Sequence, residues 1–167
     1  MATLISVVQN SGASYASYAQ EVAKNISYFV TVDNGLASKT AYPLSIPPSG
    51  KNYSYEVWIR LRCDLAPNDR CENFKAWYVS GLPANGYNIT VNSDVVNTYS
   101  QPVDTPSDTG TRVDFTTKNS EVNSIALDGT LENIGDYTSW LCFQLEVESD
   151  ADTGLFEISY LIEFDEF

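Results

Sequence analysis

Three stretches of this chain alternate apolar and polar residues with a period of two, and that periodicity restricts what they can build. In residues 54–62, Tyr55, Val57, Ile59 and Leu61 fall on one face and Glu56, Trp58, Arg60 and Arg62 on the other. In 140–148, Leu141, Phe143, Leu145 and Val147 alternate with Cys142, Gln144, Glu146 and Glu148. In 156–164, Phe156, Ile158, Tyr160, Ile162 and Phe164 alternate with Glu157, Ser159, Leu161 and Glu163. Successive side chains of a strand point to opposite faces, so each stretch reads as a strand with one buried side.

Weaker strand signals lie at 3–9, 26–32, 74–79, 87–91, 111–116 and 122–127. Gly-, Pro- and Asn-rich clusters at 33–35, 47–50, 83–86 and 102–110 separate them, the last being the longest loop. Asp150-Ala-Asp-Thr-Gly154 is turn chemistry, so the last two alternating stretches read as an antiparallel hairpin. A short helix over 14–24 is the one helical expectation. About nine short strands at fairly even spacing predict an all-β fold, an antiparallel β-sandwich of jelly-roll or immunoglobulin-like type. With 167 residues, no repeat and no linker, residues 1–167 read as a single domain.

Charge narrows the partners. The net charge is -13, and twelve of the 22 acidic residues lie between Glu121 and Glu166, while no Lys or Arg follows Lys118. A nucleic-acid groove or an anionic membrane needs a cationic surface, so neither is an expected partner. No apolar run is long enough to span a bilayer. Residues 1–8 lack the basic start and apolar length of a signal peptide, so Sec export is not expected. Solvation alone accounts for most of the acids.

The chain has no histidine, which excludes Ser-His-Asp and Cys-His nucleophilic sites and zinc sites built on His. No phosphate-binding or dinucleotide-binding glycine motif occurs. No cofactor is expected. Paired carboxylates for glycoside hydrolysis remain the one catalytic route, with Glu56, Glu146, Glu148, Glu157 and Glu163 as strand-borne candidates; solvated outer-face carboxylates are the competing reading. Asp150 with Asp152, or Asp64 with Asp69, supply hard oxygen ligands for calcium, but turn chemistry explains both pairs.

Cys63 and Cys71 flank the polar loop 64–70 between two strand signals. A disulfide across the base of such a hairpin is geometrically possible, and free thiols are the default for a protein folded in the cytosol. Cys142 reads as a packed thiol on a strand. Trp58, Trp77 and Trp140 all lie opposite the main apolar stripe of their strands. They form a candidate interaction surface, for sugar stacking or for anchoring a protein partner, and the competing reading is local packing.

Two segments carry a resemblance. One runs Asn52-Tyr-Ser-Tyr-Glu-Val-Trp-Ile-Arg-Leu-Arg62 and continues, past the loop, with Asn73-Phe-Lys-Ala-Trp77. The other runs from Gln144 through Asp150-Ala-Asp-Thr-Gly154 to Ile162-Glu-Phe-Asp-Glu166. Together they cover about half the chain and resemble β-sandwich structural proteins of tailed phages. The resemblance implies a non-enzymatic virion protein made in the host cytoplasm. The expected role is a capsid decoration or cement protein on the outer shell, with the major capsid protein or another virion protein as partner and with self-association as a further possibility. It carries over no site residues. A carbohydrate-binding module or phage adhesin, and a small carboxylate glycosidase, are the alternatives.

Overall fold

A computed structural model describes residues 3–13, 20–23, 27–34 and 36–167. Among them are ten strands: β1 (Leu4–Ser11), β2 (Gln20–Ala23), β3 (Lys51–Tyr53), β4 (Val57–Leu65), β5 (Cys71–Ser80), β6 (Tyr87–Asn92), β7 (Arg112–Asp114), β8 (Ile125–Leu127), β9 (Leu141–Glu148) and β10 (Ser159–Glu166). They form two antiparallel sheets, as the alternation predicts. The larger has the order β2-β1-β4-β9-β6-β7, with β3 also pairing β9; the smaller has the order β10-β5-β8.

The predicted strand faces are correct. Val57 opposes Phe143 and Ile89 opposes Leu145 on the inner face of the large sheet, whereas Trp58 opposes Cys142 and Thr90 opposes Gln144 on the outer face. Between the sheets, Ile59, Leu61, Phe74, Ala76, Ile125 and Leu141 are each at most 3% exposed. Tyr160, Ile162 and Phe164 of β10 pack on this core from the second sheet.

The predicted strand neighbours are not correct. β9 and β10 do not form a hairpin, because β10 pairs β5 in the opposite sheet. β4 and β5, on either side of the 64–70 loop, also lie in opposite sheets. Period-two alternation says which face is buried. A buried face is satisfied equally by an edge neighbour in one sheet or by a strand stacked about 10 Å away in another.

Other boundaries move for local reasons. The strand expected from residue 54 starts at Val57, because the backbone N–H of Tyr55 donates to Val30 and that of Glu56 to Val103, both outside the sheet (3.0 Å each). Ser54 keeps contact with β9 by accepting the Leu145 N–H at its hydroxyl, 3.1 Å. The strand expected over 111–116 stops at Asp114, whose carboxylate caps a 3-10 turn over Phe115–Thr117 and turns Phe115 into the core. Glu121–Asn123 is also a 3-10 turn, so the segment expected over 122–127 keeps only β8 as strand. Residues 27–32 are not strand. In the stretch expected to be helical, Gln20–Ala23 is strand β2, paired with β1. The rest of that expectation (14–19 and 24), together with residue 26 and Gly35, lies outside the described residues.

Candidate functional site

The outer face of the large sheet is not open to solvent at its centre. Residues 93–111, joining β6 to β7, fold back over it as a strap. Tyr99 of the strap packs edge-on against Trp58 at 5.3 Å and at a tilt against Trp140 at 5.5 Å. With Cys142 these residues make a second buried cluster. Arg60 completes it, its guanidinium 3.6 Å from the ring centre of Tyr137 and 4.3 Å from that of Trp140, a stacked cation–π arrangement.

Two buried polar residues, Glu56 and Gln144, hold the strap down. Glu56 accepts the indole N–H of Trp58 (3.0 Å), the hydroxyl of Thr109 (3.3 Å) and the hydroxyl of Ser107. Gln144 donates to the carbonyls of Ser54 (3.0 Å) and Thr105 (2.7 Å) and accepts the N–H of Ser107 at 2.9 Å. Asn92 adds a third staple: its amide oxygen takes the Cys142 N–H and its nitrogen donates to Asp94. Unpaired polar groups here would cost several kcal/mol, so the 102–110 loop is specified by the sheet beneath it.

The strap corrects the three-tryptophan surface. Trp58 is 0% and Trp140 3% exposed, so neither faces a partner; alternation placed them on the outer face and could not show that this face is covered. Trp77 is different. It lies on the outer face of the small sheet, partly exposed, directly opposite Leu161 of β10. Leu161 is 53% and the neighbouring Val79 49% exposed, so apolar side chains occupy positions that a solvated sheet face normally gives to polar ones. Lys75, paired with Glu121 at 2.9 Å and opposite Glu163, borders them.

The two resembling segments meet on this same sheet. Asn73 has a left-handed backbone (φ 60), and with Phe74 it forms a bulge facing the single residue Phe164. Its side-chain amide donates to Asp165 at 2.7 Å, and the Phe74 and Phe164 rings pack at 5.5 Å. Asn is one of the few residues besides Gly that tolerates that backbone region.

The candidate carboxylates fall in separate places. Glu56 is sealed under the strap. Glu146 and Glu148 share the ammonium of Lys51, at 2.9 and 3.1 Å, which holds that lysine in its charged form well above its usual range. Glu157 sits on the β9–β10 crossover, and Glu163 on the small sheet's outer face. Among the candidate calcium ligands, Asp64 pairs with Arg62 (2.7 Å) and Asp69 with Arg70 (2.7 Å). Among the described residues no three or more Asp, Glu or Cys side chains converge to hold a metal. Cys63, Cys71 and Cys142 are buried free thiols, and burial pushes each thiol pKa up.

One feature had no signal in the sequence. The small sheet covers only part of the large one, and beneath the β9–β10 crossover lies a cavity of about 370 Å³. Its floor is Val57, Ile89, Phe143, Leu145 and Val147 of the large sheet. These inward residues were predictable as core; that a gap remains above them depends on the path of residues 149–158.

The fold and these surfaces define an all-β, two-sheet antiparallel protein. No protein-family model, curated protein or solved structure matches the chain.

Proposed function

We propose that this chain is a non-enzymatic binding protein that docks on a protein partner through the outer face of its small sheet, and that it serves as a capsid decoration protein of a tailed phage. The observation that carries the docking role is the cross-strand pair of partly exposed Trp77 and exposed Leu161, beside exposed Val79 and bordered by ion-paired charges. An aromatic anchor within an apolar patch and a polar rim is the anatomy of a protein-binding surface. The phage assignment rests on the strand resemblance. Its two segments are brought together by the Asn73–Asp165 and Phe74–Phe164 contacts on that same sheet.

The experiment is to purify particles from a lysate of the strain carrying the gene and quantify this protein against the shell protein. A decoration protein is present at a fixed, high copy number, and Leu161→Asp or Trp77→Ala lowers its occupancy at least tenfold without unfolding it. Absence from purified particles would sink the assignment.

Trp77 also keeps the carbohydrate-binding reading alive, since a partly exposed indole on a flat sheet face can stack on a sugar ring. A glycan array discriminates the two: a hit abolished by Trp77→Ala favours the sugar.

A further inference from the structure

We infer that the cavity beneath the β9–β10 crossover is a binding site for a single-chain aliphatic carboxylate. Close-packed interiors leave few voids larger than a water molecule, yet this one is about 370 Å³, within the size range of small-molecule sites. At roughly 30 Å³ per non-hydrogen group, the volume share of a liquid water, it takes a chain of about a dozen carbons.

The lining sets the chemistry. The floor is aliphatic and aromatic, and the crossover adds Leu155, Phe156 and Ile158 as the roof. The roof is fixed at both ends. Phe156 packs edge-on against Tyr87 at 4.8 Å, and Gly86 and Gly81 let the crossover approach so closely that a Cβ at either would lie 2.3 Å from Ala151 or 1.8 Å from Glu157. The middle of the roof is looser: Leu155 lines the cavity while 75% exposed.

A cation stands among the lining residues. The ammonium of Lys39 is 4.0 Å from Glu157 and 5.4 Å from the centre of the Tyr28 ring, so neither contact is a tight hydrogen bond. The Glu157 side chain is 81% exposed and free to swing into water, leaving Lys39 to receive an incoming carboxylate. Inside, Tyr160 lines the cavity; burial alone raises its pKa to about 12, so its phenol remains a neutral donor. The lining is mainly apolar, with Lys39 its one cation, Glu157 its one carboxylate and the Tyr28, Tyr87 and Tyr160 phenols beside them, so with Glu157 turned outward the cavity selects a chain with a single anionic end over a neutral lipid.

Calorimetric titration of the purified full chain with dodecanoate and with 1-dodecanol tests this. One dodecanoate binds per chain, 1-dodecanol binds more weakly, and Lys39→Gln weakens dodecanoate about tenfold while leaving the alcohol unchanged. Val147→Phe, which fills the floor, abolishes binding of both. In case that variant does not fold, methyl NMR of the wild-type chain gives an independent readout: dodecanoate shifts Ile89, Leu145 and Val147 and leaves Leu161, on the far face of the small sheet, in place. Failure of dodecanoate to bind, or methyl shifts confined to Leu161, would overturn the inference. Neither result bears on docking through Trp77, which uses the other side of the small sheet.

Discussion

The indole N–H of Trp58 donates to the carboxylate of Glu56 two residues earlier on the same outer face, 3.0 Å away, and both side chains are buried beneath the strap. This one carboxylate links β4 to the strap residues Ser107 and Thr109, so the covering loop and the sheet hold together through it.

Glu56→Ala therefore strands the Trp58, Ser107 and Thr109 donors and lowers stability by about 2–4 kcal/mol. Urea denaturation measures the loss. Amide exchange locates it: protection falls over residues 103–109 and on Glu56, whose own N–H donates to Val103. A uniform loss of protection with the strap no more affected than β5 contradicts the account. Glu56→Gln, which keeps one acceptor, loses less.

The glycines divide by what surrounds them. Gly86 has φ +73, and a Cβ there meets the Ala151 backbone at 2.3 Å; Gly50 has φ +71 and open space around it. Gly50→Ala costs only the left-handed strain of about 1 kcal/mol, whereas Gly86→Ala adds a clash with the crossover and costs at least about 3 kcal/mol. Thermal unfolding of the two variants side by side checks the ordering; equal melting temperatures would show that the crossover does not lie on Gly86.

Asp136 accepts the N–H groups of Glu132 (2.9 Å) and Asn133 (2.7 Å), which hold its carboxyl below its ordinary value of 3.8. A lowered folded pKa means that this contribution is fully present above the unfolded value and is lost as pH falls through the folded one. Asp136→Asn costs about 1 kcal/mol at neutral pH, in the manner of a lost cap. The difference from wild type is full above the unfolded carboxyl value and shrinks as pH falls through the lowered folded one. A difference that stays constant across that range rules out the charged acceptor.

Tryptophan and thiol accessibility test the two faces directly. Acrylamide quenches Trp77 in the native state and leaves Trp58 and Trp140 largely protected, so Trp77→Phe removes the quenchable, red-shifted part of the emission. A thiol reagent labels none of Cys63, Cys71 and Cys142 in the folded chain and all of them after denaturation. Rapid native labelling of any one contradicts its burial.

The alternating stretches made the fold class legible because the side-chain period of a strand is a local property. The inward faces of β4, β9 and β10 follow from their own residues, and the turn glycines follow from backbone sterics. Neighbours and covers are not local. Leu145 and Tyr160 both announce a buried face, yet only the crossover's path puts them in opposite sheets around one cavity. Trp58, Trp77 and Trp140 occupy equivalent positions in the pattern. The strap buries the first and the last, while nothing among the described residues buries Trp77 to the same degree. The sequence by itself determined which side of each strong strand is apolar, that histidine chemistry is excluded, and that the chain is acidic. Tertiary structure decided which strands pair, which outer face is sealed and where a gap remains, because those depend on contacts between residues far apart in the chain, such as Glu56 with Ser107 and Asn73 with Asp165.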